Sequence, residues 1–154
     1  REVGSATRGV VYRDRLWHAS SAVLVRSGDG ERVYLHRRTD EKLIFPGRYD
    51  CWAGGVLATG ESPDAAAARE LAEELGVTGV PLQARERVPY DDGVLRCHLF
   101  TYEVRWDGPL RHQPEEVAWG AWVTLDELRE VLADPDRWPF VPDGRLAVEG
   151  WLRG

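Results

Sequence analysis

Apolar and polar positions recur with two different periods along this chain. The run W-H-A-S-S-A-V-L-V-R over 17–26 reads as a strand with a buried end. S-G-D-G then supplies a tight turn and R-V-Y-L-H-R-R returns over 32–38, so the two are expected to form a hairpin. The loop 39–48 carries the turn signal Phe45-Pro46-Gly47 and precedes a strand over 49–53 that leads into Gly54-Gly55. Residues 82–89 and 94–106 read as a second hairpin across Asp91-Asp92-Gly93, and the alternation in L-R-C-H-L-F-T-Y-E-V predicts one covered face. A further strand is expected over 118–123. Residues 1–16, where Val3, Val10, Val11 and Tyr12 mix with charges, read as a short edge strand followed by a helical turn or loop.

Elsewhere the period is helical. Ser62 as N-cap, Pro63 at the first helical position and Asp64 beside the positive helix end predict a helix that stops at Gly76. At about 100° per residue, Ala68, Leu71, Ala72 and Leu75 fall on one side of it, and Arg69, Glu70, Glu73 and Glu74 on the other. Thr124 with Glu127 forms a capping box that opens a helix to about Leu132, striped by Leu125, Leu128, Val131 and Leu132. A last helix is expected over 143–152, with Leu146, Val148 and Trp151 partly buried. Strands and helices interleave through hairpins rather than regular crossovers, which predicts an α/β fold with a mixed sheet and helices on both sides.

The 154 residues leave room for one domain, 1–154, that buries about 70% of its unfolded surface. A formal net charge of -6 excludes a basic field that would gather DNA or RNA, so a small phosphorylated molecule needs only local positive charge. No apolar run approaches the roughly 18 residues of a membrane span, and the first residues do not read as a signal peptide. Cys51 and Cys97 lie in strand-like surroundings without metal-ligand spacing, so buried reduced thiols and a cytoplasmic location are expected. Methionine is absent, and the native start is expected upstream of Arg1. The seven tryptophans are compatible with a homodimer surface.

The polar face of the first helix carries the chemistry. Glu70 and Glu74 are like charges at i,i+4, a pairing that costs an isolated helix roughly 0.2 to 0.5 kcal/mol. Hard oxygen donors on consecutive turns suit Mg²⁺ or Mn²⁺, which take one or two carboxylates and fill their remaining positions with water and substrate phosphate. Arg69 reaches Glu73 or Glu61 and holds a carboxylate in place. The alternative is a solvated helix face. Arg37, Arg38 and Lys42 form the densest positive charge nearby and suit phosphate oxygens.

The stretch from Gly55 to Val77 resembles the Nudix box: a glycine, five residues, a glutamate, seven residues, Arg-Glu, a bulky aliphatic, any residue, Glu-Glu, any residue, then glycine and an aliphatic. Gly55, Glu61, Arg69, Glu70, Leu71, Glu73, Glu74, Gly76 and Val77 occupy every fixed position. The resemblance implies an α/β/α sandwich around a mixed sheet and Mg²⁺- or Mn²⁺-dependent hydrolysis of a diphosphate linkage. The substrate class it implies is a nucleoside diphosphate linked to another moiety, or a similar small metabolite. It also implies catalytic work for Glu61, Arg69, Glu70 and Glu73, with Glu70, Glu73, Glu74 and the Gly55 carbonyl as metal ligands. The general base is left open between a box glutamate and the outer loop, where Glu115 or Glu116 is the candidate.

A second resemblance, to isopentenyl diphosphate isomerase, spans Leu16 to Val77 through L-W-H, H-R-R-T-D-E-K, F-P-G and the box. It adds Arg38, Lys42 and Phe45 to the substrate-binding candidates and raises an isomerase as the alternative activity. That family's acid–base cysteine and metal-ligating histidine align with Ala53 and Gly55. Cys51 lies two residues early, where strand alternation would give it the same facing as Ala53. A ligand-binding module without catalysis is the third reading, and no box glutamate is lost to support it. The substrate is read by the loops 39–48, 90–93 and 111–117, and Phe45, Tyr49 or Trp52 either stacks on a base or fills core.

Overall fold

The computed structural model describes Val10, Asp14 and residues 16–154; the elements expected over 1–16 otherwise lie outside the described residues. In chain order they form β1 (Trp17–Arg26), β2 (Arg32–Arg38), β3 (Tyr49–Asp50), β4 (Trp52–Val56), α1 (Pro63–Leu75), β5 (Gln83–Asp91), β6 (Arg96–Arg105), β7 (Val117–Thr124), α2 (Leu125–Leu132) and α3 (Pro142–Arg153). β1 is buried without a break from Ser20 to Val25. It runs antiparallel to β4 on one edge and parallel to β6 on the other, so both of its edges and both faces are covered.

That crowding reshapes the first expected hairpin. β1 and β2 pair only at Arg26↔Val33, beside the turn. From there β4 takes the edge of β1 between Ser20 and Leu24, and β2 turns away to pair with β7 and β3. The sheet therefore forks, with the order β3-β2-β1-β6-β5 and with β4 on β1 and β7 on β2. The second hairpin forms as expected, β5 antiparallel to β6. The single covered face expected of β6 holds only for its first half. Thr101 to Val104 are buried in succession, because Glu103 lies under α3, where it accepts a hydrogen bond from Trp151 Nε1 at 2.9 Å.

The strand expected over 49–53 breaks at Cys51, and Asp50 Oδ1 accepts the N–H groups of Cys51 and Trp52 at 2.9 and 3.3 Å, satisfying donors freed by the break. Gly54 and Gly55 lie inside β4 rather than beyond it. A Cβ on Gly54 would stand 1.8 Å from the Ser21 carbonyl oxygen, so β4 reaches its position against β1 only with glycine there.

Two apolar clusters flank the sheet. One packs Ala67, Leu71 and Leu75 of α1 on Val23, Val25, Ala53, Tyr102 and Val104. The other packs Leu128, Val131 and Leu132 of α2 and Ala147 and Val148 of α3 on Leu24, Leu35, Trp52 and Leu99. The result is an α/β/α sandwich around a mixed sheet. Thr124 and Glu127 form the expected capping box. In α3 the buried stripe shifts to Ala147 and Val148, leaving Leu146 42% exposed instead of partly buried. Among the described residues no helix is long and apolar enough to cross a membrane.

Candidate active site

The helix α1 begins and ends where its local chemistry dictates. Ser62 accepts the N–H of Ala65 at 3.1 Å, Pro63 opens the first turn, and Gly76 closes the helix in the left-handed region at φ 70°. The buried face differs from the expected one. Ala68 is exposed, while Glu70 and Glu74 are 8% and 7% exposed and lie beside Ala67, Leu71 and Leu75. The helical period is intact, but β4 meets α1 along the edge of the acidic face. Gly55 makes this approach: a Cβ there would lie 2.9 Å from Glu70 Oε1.

Arg69 ties the box together. Its Nε and Nη2 form a fork on Glu61 Oε2 and Oε1 at 2.8 and 3.0 Å, and its Nη1 reaches Glu70 Oε1 at 3.0 Å and Glu73 Oε2 at 3.4 Å. Glu61 also accepts the Ala58 N–H at 3.0 Å. The guanidinium first, then that N–H, holds the Glu61 carboxyl down at about 2, a permanent anion. Glu74 goes the other way. Burial raises its carboxyl well above the ordinary range, and the neighbouring Glu70 and Glu116 add to the rise.

The loop after β6 reaches this helix by backbone bonds, Arg111 N to Leu75 O and Gln113 N to Glu74 O, both 2.9 Å. It thereby delivers Glu116, which pairs with Lys42 from the loop 39–48. The two loops are further joined by Thr39 N to Glu116 O and Thr39 Oγ1 to Glu115 O, at 3.2 and 3.1 Å. A cavity of about 200 Å³ opens between them, walled by Arg38, Lys42, Gly55, Arg69, Glu70, Glu73, Glu74 and Glu116.

Of the positions expected from sequence, the structure therefore brings together Gly55, Glu70, Glu73, Glu74, Arg69, Arg38, Lys42 and Glu116, with Glu61 behind Arg69. Arg37 is not among them; it faces Asp40 at 3.2 Å. Glu115 contributes a carbonyl to Thr39 and its side chain is absent from the described cavity walls. Phe45 lines an adjoining cavity, with a positive φ of 52° that is uncommon for an aromatic residue and sets the bend ahead of Pro46-Gly47. Tyr49 fills core, edge-on to Trp119 and Trp138.

Cys51 and Ala53 do not share a facing. The break at Cys51 turns its thiol into the cluster under α2 and α3, whereas Ala53 packs under α1. Cys51 is 2% exposed and, with Ala53, absent from the described cavity walls, so the acid–base group of the isomerase reading is missing from this site. Both cysteines are free and buried.

The adjoining cavity holds groups that sequence reasoning did not single out: Ser21, His36, Asp50 and Asp143. The one signal for Asp50 was an acidic residue inside the strand-like run Y-D-C-W. Burial first, then the charge of Asp143, pushes the Asp50 carboxyl up to about 8. An acid raised in this way binds its proton more tightly folded than unfolded, so the stability it contributes is present below about pH 4 and is lost as pH rises to about 8. Native protein should therefore lose on the order of a few kcal/mol between pH 5 and 8, and Asp50→Asn should flatten that slope. Urea titrations of both proteins across this range check it, with parallel slopes as the contrary result.

Arg69→Lys keeps the charge and removes the fork on Glu61. It is expected to lower kcat/KM about 10- to 100-fold, as removal of the group that orients a carboxylate pair can do, with little change in melting temperature. Unchanged steady-state kinetics would refute the positioning role.

A model of the NUDIX domain matches residues 16–144. The chain is 54% identical over 95% of its length to the uncharacterized Nudix hydrolase orf19 of Rhodococcus erythropolis, 83% of which is covered. It is 45% identical to the uncharacterized Nudix hydrolase SCO1686 of Streptomyces coelicolor, covering 96% of this chain and 80% of that one. Among solved structures, a MutT NUDIX hydrolase from Burkholderia pseudomallei superposes with TM-score 0.69 at 22% identity, covering 86% of this chain and 96% of that one. At that identity the likeness speaks for the fold.

Proposed function

The chain belongs to the Nudix family of pyrophosphohydrolases, and from that premise we propose that it cleaves a substituted diphosphate, a nucleoside diphosphate linked to another moiety or a similar small metabolite, with Mg²⁺ or Mn²⁺. The observation that carries this reading is the pair Glu70 and Glu74, two carboxylates buried on successive turns beside Gly55. Among the described residues no three acidic, histidine or cysteine side chains already converge as a cage, since Arg69 draws Glu61, Glu70 and Glu73 towards itself. The donor set nevertheless fits a hard divalent cation: carboxylate oxygens and a backbone carbonyl, in a cavity wide enough for water and phosphate oxygens. A cation also offsets the burial, and with it the repulsion from Glu70 and Glu116, that raises the Glu74 carboxyl.

Glu70, Glu73, Glu74 and the Gly55 carbonyl would hold the ion. When bound, it supplies Lewis-acid polarisation of the diphosphate and charge for the departing phosphate. The chain's own groups do the rest. Arg69 orients Glu70 and Glu73 from the anchor of Glu61. Arg38 and Lys42 supply positive charge at the mouth for phosphate oxygens. Glu116, which lines the same cavity and pairs with Lys42, is the outer-loop residue we assign to accept a proton from the attacking water.

The test is phosphate or pyrophosphate release with Mg²⁺ over nucleoside triphosphates, dinucleotides, nucleotide sugars, coenzyme A and isopentenyl diphosphate. Release from at least one class is expected. No release anywhere, together with conversion of isopentenyl diphosphate to its isomer, would overturn the reading.

A further inference from the structure

The loop between β6 and β7 brings Glu116 to the glutamate-lined cavity, and three successive residues fasten it on the way. Arg111 N and Gln113 N donate to Leu75 O and Glu74 O at the end of α1, both at 2.9 Å. Between them His112 reaches a different element: its Nε2 lies 2.6 Å from the Tyr34 hydroxyl oxygen, on β2. Gln113 O then accepts the N–H groups of Glu116 and Val117 at 3.0 and 2.9 Å, so the turn that carries Glu116 hangs from the fastened residues. The helix holds this loop by backbone bonds, which most sequences could supply. The tie to β2 depends on two particular side chains.

Tyr34 is shaped for that contact. It is 7% exposed and packs edge-on against Trp122, its partner across the β2–β7 ladder, with ring centroids 5.3 Å apart. A Cβ on Gly120 would stand 2.3 Å from the Tyr34 hydroxyl oxygen and 2.5 Å from the ring carbon that bears it. Gly120 has no positive φ, so what its missing side chain provides is the space through which the hydroxyl passes. Burial raises the Tyr34 hydroxyl and lowers the His112 imidazole. The phenol therefore keeps its proton, and the neutral ring accepts the hydrogen bond. A ring needed only for packing would be served by phenylalanine; a hydroxyl aimed through a glycine gap at one loop residue sets that loop.

We propose that Tyr34 and His112 are positioning residues that fix Glu116 at the cavity, Tyr34 through its hydroxyl and His112 by carrying that bond into the loop. What Glu116 does there rests on the diphosphate reading, whereas the tether stands without it. Glu116 is also held by Lys42, and Thr39 N bonds its carbonyl from the same loop. Loss of the tether therefore displaces the carboxylate rather than releasing it. Arg38 is held by the carbonyls of Phe45 and Ile44, outside the tethered loop, so phosphate binding should survive.

The variants are Tyr34→Phe, which keeps the ring, His112→Ala, which changes only the half-buried loop residue, and their double. Amide hydrogen exchange at Arg111 and Gln113 in metal-free protein reads the tether directly, with the melting transition of each variant recorded beside it. Each single variant should exchange about three- to tenfold faster at both amides, as loss of one hydrogen bond allows, and the double no faster than either. Exchange unchanged in both, or faster in Tyr34→Phe alone, would overturn the tether. If Tyr34→Phe fails to fold, His112→Ala decides the same point.

On whichever diphosphate compound the native protein cleaves, each variant should lower kcat by about fivefold or more while KM stays within about twofold. In a Glu116→Gln background the same substitutions should change kcat by less than about twofold, because the residues act as one unit. A full loss that persists in that background, or faster exchange with unchanged kcat, would overturn the positioning of Glu116. Absence of phosphate release from every compound would sink the diphosphate reading and the catalytic half with it, and the exchange rates would still decide the tether.

Discussion

Glu74→Gln is expected to lower kcat about a hundred- to a thousandfold while leaving the fold intact. Glutamine has the same shape and fills the same buried space beside Leu71 and Leu75, so packing is kept. It ligates a hard divalent cation poorly, and on the proposed reading several kcal/mol of charge stabilisation in the transition state depend on such an ion, each 1.36 kcal/mol being a factor of ten in rate. The same substitution has an opposite effect on stability. Burial and the charge of Glu70 raise the native carboxyl, so in metal-free protein its contribution is present at low pH and is lost as pH rises. The variant does not titrate, and without metal it should be at least as stable as native protein at pH 8. Steady-state kinetics with excess Mg²⁺ and metal-free denaturation curves check the two halves; undiminished turnover would remove Glu74 from the site.

The second large effect is on folding. Gly54→Ala would place a Cβ 1.8 Å from the Ser21 carbonyl oxygen and 2.7 Å from its carbon, both backbone atoms of the central strand. Neither can swing aside, because β1 is paired on both edges. The cost is expected at about 3 kcal/mol, seen as a melting temperature lower by about 6 to 12 °C. Gly55→Ala makes an instructive contrast. Its Cβ would meet the end of the Glu70 side chain, which can rotate. It should melt near the native temperature and lose activity, because the carboxylate is displaced from its place beside β4. Similar melting curves for the two variants would contradict this division between backbone and side-chain contact.

Much of the architecture was legible because its signals are local. Ser62, Pro63 and Gly76 set the ends of α1, and Thr124 with Glu127 opens α2, through bonds made within one turn. The limits of β1 and β2 follow from the S-G-D-G turn. The fork between those strands was not legible, since it depends on β4, distant in sequence, arriving to take the edge of β1. The burial of Glu70 and Glu74 was hidden for a related reason: a helical period separates apolar from polar positions but does not reveal which polar positions another strand covers. The box pattern itself was still legible, because the spacing of Gly55, Glu61, Arg69 and the glutamates carries it without knowledge of burial. Asp50 and Asp143 come from a broken strand and a helix terminus far apart in sequence, and only the folded sheet places them on one cavity wall. Cys51 turned away from its expected side at that same break, which no alternation rule could foresee.

The most direct measurement is a calorimetric titration of metal-free protein with Mg²⁺, native beside Glu70→Gln and Glu74→Gln, at a pH near 8. The expected result is saturable binding by native protein, with a higher melting temperature in excess Mg²⁺, and weakened or undetectable binding by each variant. At a hundred times its Kd the ion stabilises by about 2.7 kcal/mol, a shift of about 5 to 10 °C. Identical isotherms for all three proteins would contradict the assignment of the buried glutamates to the metal.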